Sequence, residues 1–242
     1  MKTKVITLIA IATTALFMSC SESINNIDEA IEIAASEKSM EATAAPGDSC
    51  TFSGILSETD IDGLMEMREE EKLAHDVYTY LYDLHNYIVF NNISKSESAH
   101  TSAVLNLING YGLDDPTPAE EGVYNNDVFN EMYSSLTLAG TESLIDALKV
   151  GALVEETDIA DLIQLIESTE NEDIIRVYSH LLSASKIHMK AFTNALARLG
   201  EIYTPTVISL EEYVEIVGEA NSEETVTPST TPGVCDGTGP NF

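Results

Sequence analysis

The sequence has few basic residues and very little cysteine. It contains 11 Lys and Arg against 41 Asp and Glu, so its formal net charge at pH 7 is -30. So acidic a chain repels nucleic acid and anionic lipid headgroups, which excludes both as partners. Its cysteines, Cys20, Cys50 and Cys235, are too few for paired Cys-x-x-Cys motifs. An electron-transfer module built on such pairs is therefore excluded.

An apolar run from Val5 to Met18 follows Lys2 and Lys4 and is too short to span a bilayer. These features are typical of a signal peptide, here residues 1–20. The stretch that ends at Cys20 resembles a bacterial lipoprotein processing site, in which the cysteine becomes lipidated. We expect an exported protein that contacts the cell-envelope membrane only through this lipid anchor. The alternative is an ordinary secretory peptide that leaves a free thiol at Cys20, and it also predicts export.

Composition divides the rest of the chain into three parts. Residues 21–53 are rich in Ser, Ala, Glu and Asn and predict a flexible acidic tether, and residues 219–242 form a tail rich in Thr, Pro and Gly. Between them, residues 54–218 are numerous enough for one well-buried core. Cys50 and Cys235 lie near opposite ends of the mature chain. In an oxidising compartment we expect them to form a disulfide that holds the tail.

Residues 54–218 carry the apolar period of α-helices. Apolar side chains recur at alternating steps of three and four along four segments, about 64–85, 93–111, 148–166 and 174–195. Each apolar stripe is interrupted at mid-length by ionisable residues: Glu71 in the first segment, Glu97 and His100 in the second, Glu155 in the third and His188 in the fourth. The sequence therefore predicts four long helices with ionisable side chains facing their common core.

The connections predict how these helices are arranged. Residues 86–92 and 168–173 are short links, which favour antiparallel neighbours. Residues 113–141 form a long connection that contains a short amphipathic piece at 128–136. These features predict an all-α fold, a ferritin-like four-helix bundle with one long crossover between helices 2 and 3. Ser209 and Glu212 have the spacing of a capping box and predict a short C-terminal helix.

The ionisable residues on the core stripes have the pattern of a metal site. Burying such groups is costly unless they are paired, and a cation is a common partner. Carboxylate-bridged two-metal bundles use one Glu from each of two helices and a Glu-x-x-His pair from each of the others. Here Glu71 and Glu155 match the single acids, Glu97 and His100 match one complete pair, and His188 matches half of the other.

The second pair lacks its acid, because Ser185 stands where a Glu is expected. A neutral hydroxyl is a poor ligand for a hard divalent ion. Three nearby acids, Glu70, Glu156 and Asp158, could supply the missing carboxylate, and the sequence does not choose among them. The second metal position is therefore expected to be weak or absent unless one of these acids completes it.

Each ligand candidate taken alone has a simpler interpretation. Ser94 and Glu97 have capping-box spacing, which would make Glu97 a helix-start residue. His188 alone fits a hydrogen-bonded core histidine, and Glu71 alone fits a run of solvated acids. Their joint occurrence at matched depths of four predicted helices favours metal binding.

Several motifs also resemble those of a known family. The segments that carry the resemblance are REEEKLAHDVY at 68–78, SESAH at 96–100, ALKVGALVEETDI at 147–159 and SKIHMKAF at 185–192. They resemble a ferritin-like family of bacterial and archaeal proteins of unknown function, over about residues 56–217. The chain is more distantly similar to rubrerythrin, whose first-helix Glu, Ala and Tyr match Glu71, Ala74 and Tyr78, and whose fourth-helix His and Phe match His188 and Phe192.

The resemblance implies a di-iron or related site with oxidase, peroxidase or ferroxidase chemistry, and metal ions and small oxidants as partners. Its cofactor would be one or two Fe ions, with Mn or Zn as other candidates. Glu97 would bridge, Glu71 and Glu155 would be terminal acids, and His100 and His188 would be nitrogen ligands. The Cys-x-x-Cys module of rubrerythrin is missing, so electrons would come from elsewhere. Two other functions stay open: a non-enzymatic metal-binding protein, and a metal-free helical surface lipoprotein that binds a protein partner.

Overall fold

A computed structural model describes residue 52 and residues 54–218, and this part of the chain contains helices and no strands. The predicted all-α class is therefore confirmed for these residues. None of the described helices combines the length and apolar character that crossing a membrane requires. The six helices within residues 54–218 are α1 Glu58–His85, α2 Ile88–Gly110, α3 Asp127–Ala139, α4 Leu144–Ser168, α5 Glu172–Arg198 and α6 Leu210–Gly218.

The ends of α1 are set by local capping. The Ser57 hydroxyl accepts a hydrogen bond from the Asp60 backbone N–H at 3.1 Å, and the Asp60 carboxylate accepts one from the Ser57 N–H at 2.8 Å. At the other end, Asn86 adopts the left-handed conformation with φ 49°, which ends the helix. Only Asn86 and Tyr87 separate α1 from α2, so α2 runs back along α1 as an antiparallel neighbour.

Helix α2 begins earlier than the apolar period predicted. The predicted link over residues 86–92 shrinks to two residues, because helix geometry starts at Ile88. Its N-cap, Tyr87, makes no side-chain capping bond, so no capping residue marks this start in the sequence. Ser94 lies inside the helix, where its hydroxyl donates to the Asn91 carbonyl at 3.4 Å. The interpretation of Ser94 and Glu97 as a capping box is therefore wrong, and Glu97 is a mid-helix residue.

Four long helices, α1, α2, α4 and α5, form a helical bundle. Helix α1 packs on α2 and α4, and α5 packs on α4 and α2. Residues 169–171 join α4 to α5 and make them antiparallel. The long connection after α2 includes α3, which packs on α1 and α4, and α6 packs on α5. The capping box of Ser209 and Glu212 is present at the start of α6, with the Glu212 N–H donating to the Ser209 hydroxyl at 3.2 Å.

Buried charges on α1 hold the connection between α2 and α3. The Glu69 carboxylate accepts hydrogen bonds from the backbone N–H groups of Asn125, at 2.5 Å, and Asn126, at 3.0 Å. Lys72 donates to Asp76 at 2.5 Å and also to a carbonyl of the same connection. Charge-assisted bonds of this kind are short and strong. The Glu69 carboxylate therefore holds the connection between α2 and α3 in place.

The apolar core consists of two clusters. The first apolar cluster includes Tyr78, Phe90 and Phe192, and the second apolar cluster includes Leu64 and Leu107. Along α1, α2 and α5, ionisable residues at mid-length separate the two clusters. The bundle therefore places a polar layer inside its core, between two apolar layers.

Several predictions concern residues outside the described part of the chain: the signal peptide at 1–20, lipidation of Cys20, the Cys50–Cys235 disulfide and the tail at 219–242. Of the predicted tether at 21–53, the structure describes Phe52. Its ring stacks on Tyr111, with ring centroids 5.5 Å apart. Phe52 therefore covers the end of α2 and belongs to the packed domain.

Candidate metal centre

The five principal ligand candidates from the sequence lie together in the polar layer. They form two groups, Glu71 with Glu97 and His100, and Glu97 with Glu155 and His188. Within each group, one ligand atom per residue lies within 4.8 Å of the others. Glu97 belongs to both groups, so the two groups share one carboxylate.

The two oxygens of Glu97 face different imidazoles. Glu97 Oε2 lies 2.6 Å from His100 Nδ1, and Glu97 Oε1 lies 2.7 Å from His188 Nδ1. One outer acid completes each group, because Glu71 Oε2 is 3.3 Å from His100 Nδ1 and Glu155 Oε2 is 3.5 Å from His188 Nδ1. The arrangement has approximate symmetry about Glu97, with one imidazole and one outer carboxylate on each side.

Several of these atoms are buried without a hydrogen-bond partner. They are Glu97 Oε1, His188 Nδ1 and Glu71 Oε1. The 2.7 Å approach of His188 to Glu97 is thus a close contact without hydrogen-bond geometry. Buried polar atoms normally have partners, and a set of converging unpartnered nitrogen and oxygen atoms is what a cation satisfies. Imidazole and carboxylate donors fit iron, manganese or zinc.

The pKa values show how the residues share charge. Burial alone would raise the pKa of Glu97, but the charges of His188 and His100 hold it well below its ordinary value. Burial alone would lower the pKa of His188, but Glu97 and Glu155 raise it to about 10. Burial raises the pKa of Glu71 and of Glu155 to about 7. Without a metal, protons on the two imidazoles therefore offset the negative charge of Glu97 and of the partly ionised outer acids, Glu71 and Glu155, at neutral pH.

Tyr78 orients one of the outer acids. Its hydroxyl donates to Glu155 Oε1 at 2.6 Å, and its fully buried ring packs on Phe90 and Phe192. Burial and the neighbouring Glu155 charge raise the pKa of Tyr78 well above its ordinary value, so its hydroxyl keeps the proton that it donates. Tyr78 therefore joins the first apolar cluster to the polar layer.

Two of the three further acids lie beside the site. The Ser185 hydroxyl donates to the Leu181 carbonyl at 2.8 Å, a bond within its own helix. Asp158 is buried, and its Oδ1 has no hydrogen-bond partner. Burial and the charges of Glu71 and Glu155 raise the pKa of Asp158 well above its ordinary value. Glu70 is also buried and interacts electrostatically with Asp158 and Glu71.

Glu156 faces a different part of the molecule. Its carboxylate accepts a hydrogen bond from the Tyr203 hydroxyl at 2.6 Å and from the backbone N–H groups of Thr206, Val207 and Ile208 at 2.6, 2.5 and 2.9 Å. These residues precede α6. Glu156 thus anchors the segment that leads into the last helix, and its carboxylate is not among the groups that converge on Glu97.

A serine on α2, which sequence reasoning missed, lies beside the imidazoles. Ser96 Oγ is 3.1 Å from His188 Nε2 and 3.4 Å from His100 Nε2. Its spacing of four residues before His100 was the signal in the sequence, since such residues share a helix face. The proximity to His188 comes from the packing of α2 on α5 and has no local signal.

Comparisons with known proteins relate the chain to one domain family and to one relative, both described as uncharacterised. Residues 60–220 match the family model described as an uncharacterized protein domain, DUF2202. The chain is 47% identical over 166 residues to the uncharacterized protein MJ0754 of Methanocaldococcus jannaschii. The aligned residues cover 68% of this chain and 90% of that protein. The crystal structure of the hypothetical protein MJ0754 has a TM-score of 0.69 at 46% identity, over 70% of this chain and 98% of that chain.

Proposed function

The chain belongs to the family of the uncharacterised domain DUF2202, and we propose that it is a metal-binding protein with a carboxylate and histidine site for iron. Glu97 would be shared by two metal positions. Glu71 and His100 would complete one position, and Glu155 and His188 would complete the other. The observation that carries this proposal is the opposed pair of 2.6 and 2.7 Å contacts from the two Glu97 oxygens to two imidazole nitrogens.

The donor set is compatible with iron as the resident metal, and the preference for iron rests on the resemblance to rubrerythrin. Two imidazole nitrogens and three carboxylates provide no thiolate, and such mixed nitrogen and oxygen sites suit Fe, Mn and Zn. The position that includes His188 lacks the acid that Ser185 replaces. Asp158 supports occupancy of a second position, because its unpartnered carboxylate oxygen is buried beside the outer acids. We propose one or two ions per chain.

The proposed chemistry is ferroxidase, peroxidase or oxidase chemistry with a small oxidant. Iron, when bound, supplies one-electron redox chemistry toward peroxide or dioxygen. The chain itself binds the metal, keeps a protonated Tyr78 hydroxyl on Glu155, and surrounds the site with two apolar clusters that limit water. Its three cysteines provide no paired motif, so the reductant is a separate molecule.

The ferritin-like relationship is part of the same proposal. It is supported by four long helices with a long connection after the second, and by ionisable side chains from all four at one depth. The similarity to rubrerythrin at Glu71, Tyr78 and His188 agrees with this assignment. The proposal therefore concerns a site of a known architectural type in a family without an assigned activity.

Elemental analysis tests metal binding directly. Protein purified without chelator is expected to contain at least one ion per chain, with iron predominant over manganese and zinc. Replacement of His100 and His188 by Ala should abolish uptake while circular dichroism keeps the helical content. A ratio well below one ion per chain for all three metals would overturn the proposal and favour the metal-free surface protein.

A second experiment separates an enzyme from a binder. Anaerobic protein is loaded with Fe(II) and mixed with hydrogen peroxide or dioxygen, while the near-ultraviolet spectrum is followed. We expect rapid formation of an Fe(III)–carboxylate absorption that the double His variant lacks. Bound iron that shows no spectral change would leave a non-enzymatic metal-binding protein.

Export and lipid anchoring belong to the proposal as well. They are supported by Lys2 and Lys4 before an apolar run that ends at Cys20. Mass spectrometry of the mature N-terminus in a bacterial host tests this, with a diacylated Cys20 as the expected first residue. An unmodified Cys20 thiol at the N-terminus would indicate an ordinary secretory peptide, and retention of residues 1–20 would exclude processing.

A further inference from the structure

Ser96 lies where one hydroxyl can meet both histidines of the proposed site. The two imidazole rings are stacked, with ring centroids 5.5 Å apart and an interplanar angle of 23°. In each ring Nδ1 faces the carboxylates and Nε2 faces Ser96, at 3.4 Å for His100 and 3.1 Å for His188. Ser96 is therefore on the opposite side of the rings from Glu97.

Proton positions make this contact specific. An imidazole that binds a metal through Nδ1 is neutral and carries its proton on Nε2. A serine hydroxyl has two acceptor lone pairs and one proton of its own. A single Ser96 Oγ can therefore accept from both Nε2–H groups. Hydrogen bonding at the outer nitrogen is how proteins fix the tautomer and the orientation of a metal-binding histidine.

Ser96 differs in its bonding from other serines on these helices. Ser102, on α2, donates to the carbonyl four residues earlier at 2.8 Å, as do Ser179 and Ser183 on α5, at 2.6 and 2.9 Å. Such back-bonding is the common arrangement for a helical serine. The Ser96 hydroxyl instead has the two imidazoles as its hydrogen-bond partners within the described residues.

From this geometry we propose that Ser96 is a positioning residue for the metal centre, which accepts hydrogen bonds from both Nε2–H groups and holds His100 and His188 in the form that binds metal through Nδ1. This inference rests on the proposed function and adds a residue that shapes the site without binding the metal. One hydroxyl controls both metal positions, as Glu97 does from the other side. Ser96 is partly exposed, so it also lies at the boundary between the site and solvent.

The test compares three variants of the full-length chain. Ser96→Ala removes the hydroxyl, Ser96→Thr keeps it, and Ser102→Ala removes a hydroxyl of the same helix that bonds to the Ser98 carbonyl. The affinity for Zn(II) is measured by competition with a chelating dye. We expect Ser96→Ala to bind about 10- to 100-fold more weakly, a typical effect of removing an outer partner of a metal-binding histidine. Ser96→Thr and Ser102→Ala should stay close to the wild type.

A spectroscopic readout separates positioning from a general loss of stability. In the Zn(II) form with ¹⁵N-labelled histidine, the wild type should show slowly exchanging Nε2–H signals for His100 and His188. Ser96→Ala should shift these signals or speed their exchange, and Ser96→Thr should restore them. Zn(II) affinity and Nε2–H signals in Ser96→Ala equal to those of Ser102→Ala would overturn the inference while leaving the metal site intact. Failure of the wild type to bind Zn(II), Mn(II) or Fe(II) would reject both the site and the role of Ser96.

Discussion

Replacement of Glu97 by Gln should remove both proposed metal positions at once. Glu97 is the member that the two ligand groups share, and its two oxygens face different histidines. Glutamine keeps the size of the side chain but loses the negative charge, so neither group keeps its central ligand. Glu71→Gln and Glu155→Gln should each weaken one group only, because each residue belongs to one group.

The size of the effect follows from mass action. A metal at about 100 times its Kd stabilises the folded state by about 2.7 kcal/mol for each site. For a domain of this size, 1 kcal/mol shifts the Tm by about 2–4 °C. Two occupied sites should thus raise the Tm by about 11–22 °C, and one site by about 5–11 °C. Glu97→Gln should show a shift close to zero.

Differential scanning calorimetry with and without Zn(II), which is redox-inert, measures these shifts. Binding stoichiometry from calorimetric titration should follow the same order: wild type, then the two outer-acid variants, then Glu97→Gln. The reasoning would be refuted by a Glu97→Gln protein with the full metal-induced shift. It would equally fail if Glu71→Gln and Glu155→Gln each lost both ions, since that would make the two groups one indivisible site.

Three other predictions concern protons, packing and a buried acid. The pKa of His188 is raised to about 10 in the metal-free protein, so the ring is protonated at pH 7. Zn(II) binding should therefore release protons and become stronger as the pH rises from 6 to 8. Calorimetric titrations in buffers of different ionisation enthalpy measure this proton release. Gly151→Ala should lower the free energy of unfolding by about 1–3 kcal/mol, measured by urea denaturation, since an added Cβ would lie 2.5 Å from the Phe192 ring. Glu156→Gln should also lower it by about 1–3 kcal/mol, because this buried carboxylate holds Tyr203 and three backbone N–H groups, yet it should leave metal stoichiometry unchanged.

Each of these predictions has a control in the same chain. The proton release should fall in His188→Ala, and a metal affinity independent of pH would contradict the assigned protonation. Gly218→Ala places its Cβ in open space and should leave stability nearly unchanged. If Gly151→Ala were as stable as Gly218→Ala, the close approach of Phe192 would not limit this position. Loss of metal from Glu156→Gln would show that this carboxylate acts at the site after all.

The sequence predicted the helices and the depth of the ionisable residues because both follow from local periodicity. Glu97 and His100 share a helix face by their spacing alone, and Glu71 lies on an apolar stripe that only a helix produces. To predict that these side chains lie close together, one further inference was needed: short links make neighbouring helices antiparallel. Glu155 was predicted by the same stripe on α4.

Features that depend on distant segments were not predictable in this way. Glu155 and Glu156 are adjacent acids on one helix. Only the position of the Tyr203 segment in the fold shows that Glu156 binds that segment and not the candidate metal centre. The start of α2 at Ile88 has no side-chain cap, and the internal Ser94 has the sequence spacing of an N-cap residue. The sequence pattern therefore indicated a helix start at the wrong residue. The contact of Ser96 with the α5 histidine likewise depends on how two helices are packed.

The polar layer also governs how the two ends of the bundle respond to stress. Ionisable residues separate the buried members of the two apolar clusters on α1, α2 and α5, and the partly buried Leu182 packs against both clusters. Cooperativity between the two halves then depends on the electrostatic state of that layer. With the proposed metal bound in this layer, a chelator should consequently act as a local denaturant, speeding the exchange of amide protons at mid-helix before that of amide protons at either end of the core.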